Sequence, residues 1–173
     1  MPNWTENFIK IEHDDPKMIQ KFVKSYNENK VCGTFIPEPD YSNENDWYVW
    51  RNWNWGIKWD FGRDDIDVID VNSETTEVTV SFLTPWRPPE TLYEYLTEVL
   101  GFRIHAEFYE LGNDFFGVYT PNLKFTTELP TDLESLEKFK PVLPLSYEDI
   151  KQILFSPCHY NDEEEEEEVT DTK

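Results

Sequence analysis

The chain has 173 residues, with 36 acids against 15 bases, a formal charge of −21 and an aromatic content of 16%. A chain of this length holds one domain with an appendage and can bury a sizeable core. So much negative charge repels phosphate backbones at long range, which disfavours direct nucleic-acid binding and favours basic protein surfaces.

Part of that charge is local. Residues 161–173, which contain the run DEEEEEE, carry eight acids and one lysine, a net −7 that leaves −14 on the first 160 residues. The opening Met-Pro-Asn-Trp lacks a basic n-region, and no apolar run approaches the roughly 18 residues of a membrane span. The reading expects no secretory signal, no membrane association and a cytoplasmic location. Cys32 and Cys158 are far apart and read as free thiols.

In chain order, NFIKIE (7–12) places Ile9 and Ile11 on one face with Lys10 opposite, the pattern of a strand with one buried side. Asp14, Asp15 and Pro16 open a helix whose apolar face is Met18, Ile19, Phe22, Val23 and Tyr26. A proline-broken polar connection follows. After the tryptophan-rich stretch, Ile66 and Val68 alternate with acids, Asn72-Ser73-Glu74 reads as a turn, and Val78, Val80 and Phe82 alternate with polar residues; together these predict a β-hairpin. Pro88, Pro89 and Glu90 start a second helix with an apolar face of Leu92, Tyr95 or Leu96, and Val99, stopped by Gly101. RIHAEFYEL is another strand, with Ile104, Ala106 and Phe108 on one face and His105 and Glu107 on the other, and FFGVYT is a short return strand.

This order predicts an α+β fold, a ferredoxin-like βαββαβ-type sandwich with an antiparallel sheet covered on one face by two helices. The domain spans residues 1–120. Residues 121–160 form a helical extension, with helical patterns over 131–139 and 146–155, expected on the domain edge or across the open sheet face. Residues 161–173 are an acidic tail of disordered composition.

Four separated segments, MPNWTENFIKI, NWGIKWD, FLTPWRPP and FYELGNDFFG, occur in the order of one family. On them the chain resembles phage- and plasmid-borne proteins built on a YubB-type (Api-like) ferredoxin-like domain. Asn54-Trp55-Gly56-Ile57-Lys58-Trp59-Asp60 and Ser81-Phe82-Leu83-Thr84-Pro85-Trp86-Arg87-Pro88-Pro89 match two of its motifs. The resemblance covers residues 1–120 and implies the fold and a mobile-element origin, without implying a particular activity. Thr5 stands where many relatives have Cys, which weakens any thiol or metal role there.

Five of the seven tryptophans lie in residues 46–60, DWYVWRNWNWGIKWD. Trp47, Trp50 and Trp53 at spacings of three suit a short helix capped by Asn45 or Asp46, and Trp55, Ile57 and Trp59 alternate as a strand entering the sheet would. These rings, each able to bury roughly 150–250 Å², either roof the bare side of a small sheet or hold polar groups at a binding edge. The binding reading singles out Arg51, Asn52, Trp55, Lys58, Trp59 and Asp60, joined by Trp86 and Arg87, because Trp and Arg dominate hot spots and because a few polar groups in an aromatic wall make a ligand site.

Catalytic signals are thin. His13, His105 and His159 stand in no metal-ligand spacing, no nucleophile or phosphate-loop motif occurs, and two cysteines cannot hold an iron–sulfur cluster. Asp65, Asp67 and Asp70 could line one strand face for a divalent ion, or simply face solvent or a partner. No cofactor is expected. The leading expectation is a non-enzymatic accessory protein that docks a basic host or phage protein, with nucleic-acid mimicry or modulation of a host enzyme as its mode. Behind it stand a small-ligand module using the tryptophan wall and an enzyme using acidic residues. Oligomeric state is open.

Overall fold

Thr5, Asn7, Ile9 and Ile11 are buried and alternate with more exposed neighbours, and Trp4–Glu12 accordingly forms a strand, β1. A computed structural model describes residues 2–41, 43, 46–63 and 68–155. β1 lies between β2 (Glu77–Pro85) and β3 (Arg103–Glu110), and β4 (Phe115–Thr120) and β5 (Leu123–Glu128) continue the sheet beyond β3. The order is β2-β1-β3-β4-β5 and every pairing is antiparallel. Register places Ile9 between Val80 and Ala106, and Asn7 between Phe82 and Phe108.

Two helices cover this face. In α1 (Pro16–Asn27), Asp15 caps the Lys17 amide and Pro16 takes the first turn, where a missing N–H costs nothing. Its Ile19, Phe22, Val23 and Tyr26 meet Ile9, Ile11, Val80 and Phe82 in the main core. The second covering helix, Glu90–Glu98, contributes Leu92, Tyr93 and Leu96. Val99, assigned to its apolar face from the sequence, is 63% exposed, and Tyr93 takes the buried place. Gly101 ends this segment in the left-handed region at φ 76, as the sequence predicts. Between the first helix and β2 lie α2 (Val31–Phe35) and α3 (Asp46–Asn54), so the helix before β3 is α4.

The opposite face carries a smaller apolar cluster centred on β4. Tyr109, Phe116 and Val118 form a second core with Leu136 of α5 (Leu133–Glu137), Leu143, and Tyr147 and Ile150 of α6 (Tyr147–Phe155). β3 and β4 are therefore covered on both sides. Gly117 of β4 is required here: a Cβ would lie 2.6 Å from the Phe108 ring and collide with the Phe125 carbonyl.

The extension expected to be helical over 121–160 opens with the sheet strand β5, and two expected strands differ. Residues 68–71 are irregular rather than the first strand of a hairpin; residues 64–67 lie outside the described residues. The cause is Asn27, whose amide donates to the Ile69 carbonyl at 2.8 Å and accepts from the Ile69 N–H at 3.2 Å, so the backbone groups a ladder would need are bound to a helix. The predicted Asn72 turn is present, with Glu74 N–H donating to Asn72 Oδ1 at 2.8 Å. Second, Trp55–Trp59 is not a strand. The Trp55 and Gly56 amides both donate to Arg51 O at the end of α3, and Gly56 reverses the chain at φ 82.

Candidate functional site

The tryptophan-rich stretch divides into framework and surface. Trp55 is 1% exposed and its indole N–H donates to Ile36 O at 2.9 Å, which fixes the loop after α2. Arg51 lies over the Trp55 and Trp47 rings and binds Glu38 Oε1 through Nε at 2.9 Å and Nη2 at 2.6 Å. Burial alone would raise the Glu38 pKa, but hydrogen bonds from Arg51 and Tyr41 outweigh it and hold the carboxyl below its ordinary value. The Tyr41 hydroxyl, partly desolvated and donating to that carboxylate, is pushed up to about 12.

Asp60 is also framework. Its carboxylate accepts from the backbone N–H groups of Cys32 at 2.7 Å, Gly33 at 2.8 Å and Phe61 at 2.9 Å, tying the turn to the start of α2. Desolvation raises its pKa, against those three hydrogen bonds. The same burial, with Asp60 beside it, pushes the Cys32 thiol well up. Arg51, Trp55 and Asp60 therefore hold the loop together.

The remaining residues reach the surface together. Trp59 stacks on Trp86 with centroids 6.1 Å apart, and the Trp4 ring lies tilted against Trp59 with centroids 6.1 Å apart. The three rings are 46% (Trp4), 36% (Trp59) and 40% (Trp86) exposed. Lys58 Nζ sits 4.5 Å from the Trp59 centroid and 5.9 Å from those of Trp86 and Tyr48. Trp4 comes from the start of β1, Tyr48 from α3, Lys58 and Trp59 from the turn after it, and Trp86 from the end of β2, so segments far apart in sequence meet in one patch. The register that pairs Trp4 with Pro85 brings the first and last together.

Trp86 holds a left-handed backbone, φ 66, which is rare for a bulky residue and strained. Its N–H donates to Asn3 O at 2.8 Å, and the Thr84 hydroxyl donates to Arg87 O at 2.8 Å, so both sides of the strained residue are fastened. Trp86 and Arg87 also line a cleft of ≈ 410 Å³ with Asn52, Gly56, Glu90 and Thr91, floored by Phe108 and Phe115. Asn52 is tied by its amide N–H to Tyr48 O at 2.7 Å. Trp53 stands apart, 78% exposed, beside a groove lined by Pro39, Tyr41, Val49 and Trp50.

Sequence reasoning missed Trp4 and Tyr48 as members of the patch. It also missed Glu107, which is fully buried. The Glu107 carboxylate accepts from Ser146 N at 2.7 Å, Ser146 Oγ at 2.7 Å and Leu145 N at 3.0 Å, and its Oε1 lies 2.6 Å from His105 Nε2. Ser, His and a carboxylate are thus adjacent, but the carboxylate stands between the other two. Ser146 donates to the acid and not to the imidazole, so this is an anchor for α6 and not a nucleophile–base pair. Asp65 and Asp67 lie outside the described residues; among those described, no group of three or more His, Cys, Asp or Glu could hold a metal ion, and no helix is long and apolar enough to cross a membrane.

No family model matches the chain, and neither a curated protein nor a solved structure matches it.

Proposed function

We propose that this chain is an interaction protein that docks a basic protein surface through the patch of Trp4, Tyr48, Trp59 and Trp86. The observation that carries the reading is the convergence of three half-exposed tryptophans from three chain segments, one of them held in a strained backbone. Exposed aromatic clusters mark contact sites, Trp anchors dominate their energy, and strain of this kind gathers at functional positions. A charge of −21 selects basic partners and speeds their encounter. The resemblance to phage- and plasmid-borne proteins suggests the setting, the cytoplasm of the cell that carries the element; the role we infer, modulation of a host enzyme or defence protein, rests on the charge and the aromatic patch. Within the α+β fold, β1, α1, β2, α4 and β3 are consistent with the strand neighbours of a ferredoxin-like sandwich that lacks its second strand among the described residues, with the β4–β5 meander added beside β3.

The test is affinity capture from host lysate with three baits: the full chain, a chain cut after Asn161, and Trp59→Ala with Trp86→Ala. A stoichiometric basic partner that survives the cut and is lost with the double variant supports the reading. Equal capture by the double variant refutes it, and loss on cutting alone would move the function to the acidic tail. A second reading, a small-ligand module, is favoured by the ≈ 410 Å³ cleft beside Trp86, where Asn52, Arg87, Glu90 and Thr91 surround an aromatic floor. Quenching of tryptophan fluorescence across a metabolite panel tests it.

A further inference from the structure

Lys10, Arg51, Arg103 and Lys124 each pair with a carboxylate. Lys58 makes no ion pair among the described residues, in a chain with 36 acids to choose from. Its ammonium instead stands within cation–π range of three rings, at 4.5 Å from Trp59 and 5.9 Å from Trp86 and Tyr48. Lys21, Lys140 and Lys151 also stand over aromatic rings without an ion pair among the described residues, but each faces a single ring, whereas Lys58 faces three. Aromatic faces that converge on one point are the arrangement by which proteins recognise ammonium groups.

The walls of this cage are fixed by interactions unrelated to Lys58. Trp86 is placed by its left-handed backbone and the Asn3 carbonyl, Trp59 packs against Trp4 and Trp86 and is followed by the locked Asp60, and Tyr48 rides on α3. Lys58 is a half-buried residue on a flexible four-carbon stem, and among the described residues only ring faces hold its head. Its Nζ marks where a cation belongs, and its removal leaves the receptor standing.

We propose that Tyr48, Trp59 and Trp86 form a receptor for the ammonium group of a lysine side chain from the partner, with Lys58 as a resident occupant that the incoming lysine displaces. This rests on the aromatic patch being the contact face. Two ammonium groups cannot share the cage, so binding requires Lys58 to swing out to water. The exchange replaces one cation–π set by another of the same kind, and the overall negative charge supplies the bias toward a basic partner. Lys58 thereby acts as a plug that keeps exposed rings covered until a competing cation arrives.

The probe is tetramethylammonium chloride, titrated against sodium chloride at matched ionic strength, with the indole N–H resonances of Trp59 and Trp86 as the signal. Lys58→Ala should bind the probe about tenfold more tightly than the parent chain, since two to three exposed cation–π contacts amount to about that factor. Trp59→Leu in the Lys58→Ala background should lose this gain while keeping the far-ultraviolet dichroism of the folded chain. Hexalysine should compete with tetramethylammonium in Lys58→Ala, and hexaglutamate should not. Equal affinity in the parent and Lys58→Ala, or a gain that persists in Trp59→Leu, overturns the cage. If the cage is overturned while the Trp59→Ala/Trp86→Ala double variant still loses its basic partner, the contact face stands without the cation receptor; if that variant also keeps its partner, both fall.

Discussion

Glu107→Ala offers a sharp test of how the second sheet face is covered. The carboxylate is fully buried and accepts from two backbone N–H groups, Leu145 and Ser146, and from the Ser146 hydroxyl. Truncation strands those donors in a region without solvent. Each buried unsatisfied group costs about 1–3 kcal/mol, and partial relaxation brings the expected total to about 3–5 kcal/mol. Glu107→Gln keeps one carbonyl oxygen for the Ser146 donors and loses chiefly the charge assistance, so its cost is about 1–2 kcal/mol. The damage should be local. α6 is held by this anchor and by Tyr147 and Ile150 in the second core, whereas the core beneath α1 and α4 does not touch it. Hydrogen exchange by mass spectrometry, beside urea denaturation, separates the two scales. Glu107→Ala should deprotect amides over 145–155 and expose β4 from that side, with α1 and α4 keeping their protection. A change below about 1 kcal/mol together with unchanged protection over 145–155 would refute the reasoning.

The other expectations concern the core and acid response. Thr5 is buried and its hydroxyl has no partner among the described residues, so Thr5→Val should raise stability by about 1 kcal/mol in urea titration; a loss of similar size would mean that the hydroxyl is satisfied. Gly117→Ala puts a methyl group against the Phe108 ring and the Phe125 carbonyl and should cost about 2–3 kcal/mol, visible as a lower thermal midpoint. The Glu38 carboxyl sits below its ordinary value of 4.5, and a depressed folded-state pKa stabilises above the unfolded value and ceases to do so as pH falls through the folded one. Glu38→Gln should therefore flatten the fall in stability on acidification below pH 4.5, and an unchanged slope would count against the Arg51–Glu38 pair as its source.

What was legible in the sequence was local. Asp15 and Pro16 gave the start of α1, Gly101 gave the left-handed stop after α4, and the alternation of Ile9 and Ile11, and of Ile104, Ala106 and Phe108, gave two strands with the correct inner face. β5 was not legible, because an edge strand of LKFTTE has five of six residues exposed and no buried face to impose a period. The misread strand at Ile66 and Val68 shows the reverse error. Apolar residues alternating with acids satisfy the strand pattern, yet the Ile69 backbone is held by the Asn27 side chain 42 residues away. Glu107 obeyed the alternation of β3 and so read as solvent-facing; only the return of residues 145 and 146 over that face makes it internal. The site was half legible for the same reason. Tryptophan density pointed to 46–60, but Trp55 turns inward and Trp59 outward once Gly56 takes φ 82, and the meeting of Trp4 with Trp86 depends on the long-range register of β1 with β2.

That register also explains how so acidic a chain keeps three tryptophans half in water without losing its shape. Each exposed ring is adjacent in sequence to a residue whose place is fixed by the interior. Trp4 precedes the buried Thr5, Trp59 precedes Asp60 with its three backbone hydrogen bonds, and Trp86 follows the buried Pro85 at the end of β2. The rings thus hang from a backbone that the core has already ordered, and a partner need not supply the free energy to arrange them. Preorganisation of this kind is what turns exposed apolar area into affinity, because the ordering cost that usually offsets contact energy has been met in folding. The left-handed Trp86 is part of the same arrangement. In the left-handed conformation its ring stacks on Trp59 and comes within 5.9 Å of the Lys58 ammonium. Packing of the interior alone gives no reason to hold a 40%-exposed tryptophan in that conformation, whereas a surface that must present its rings already aligned does.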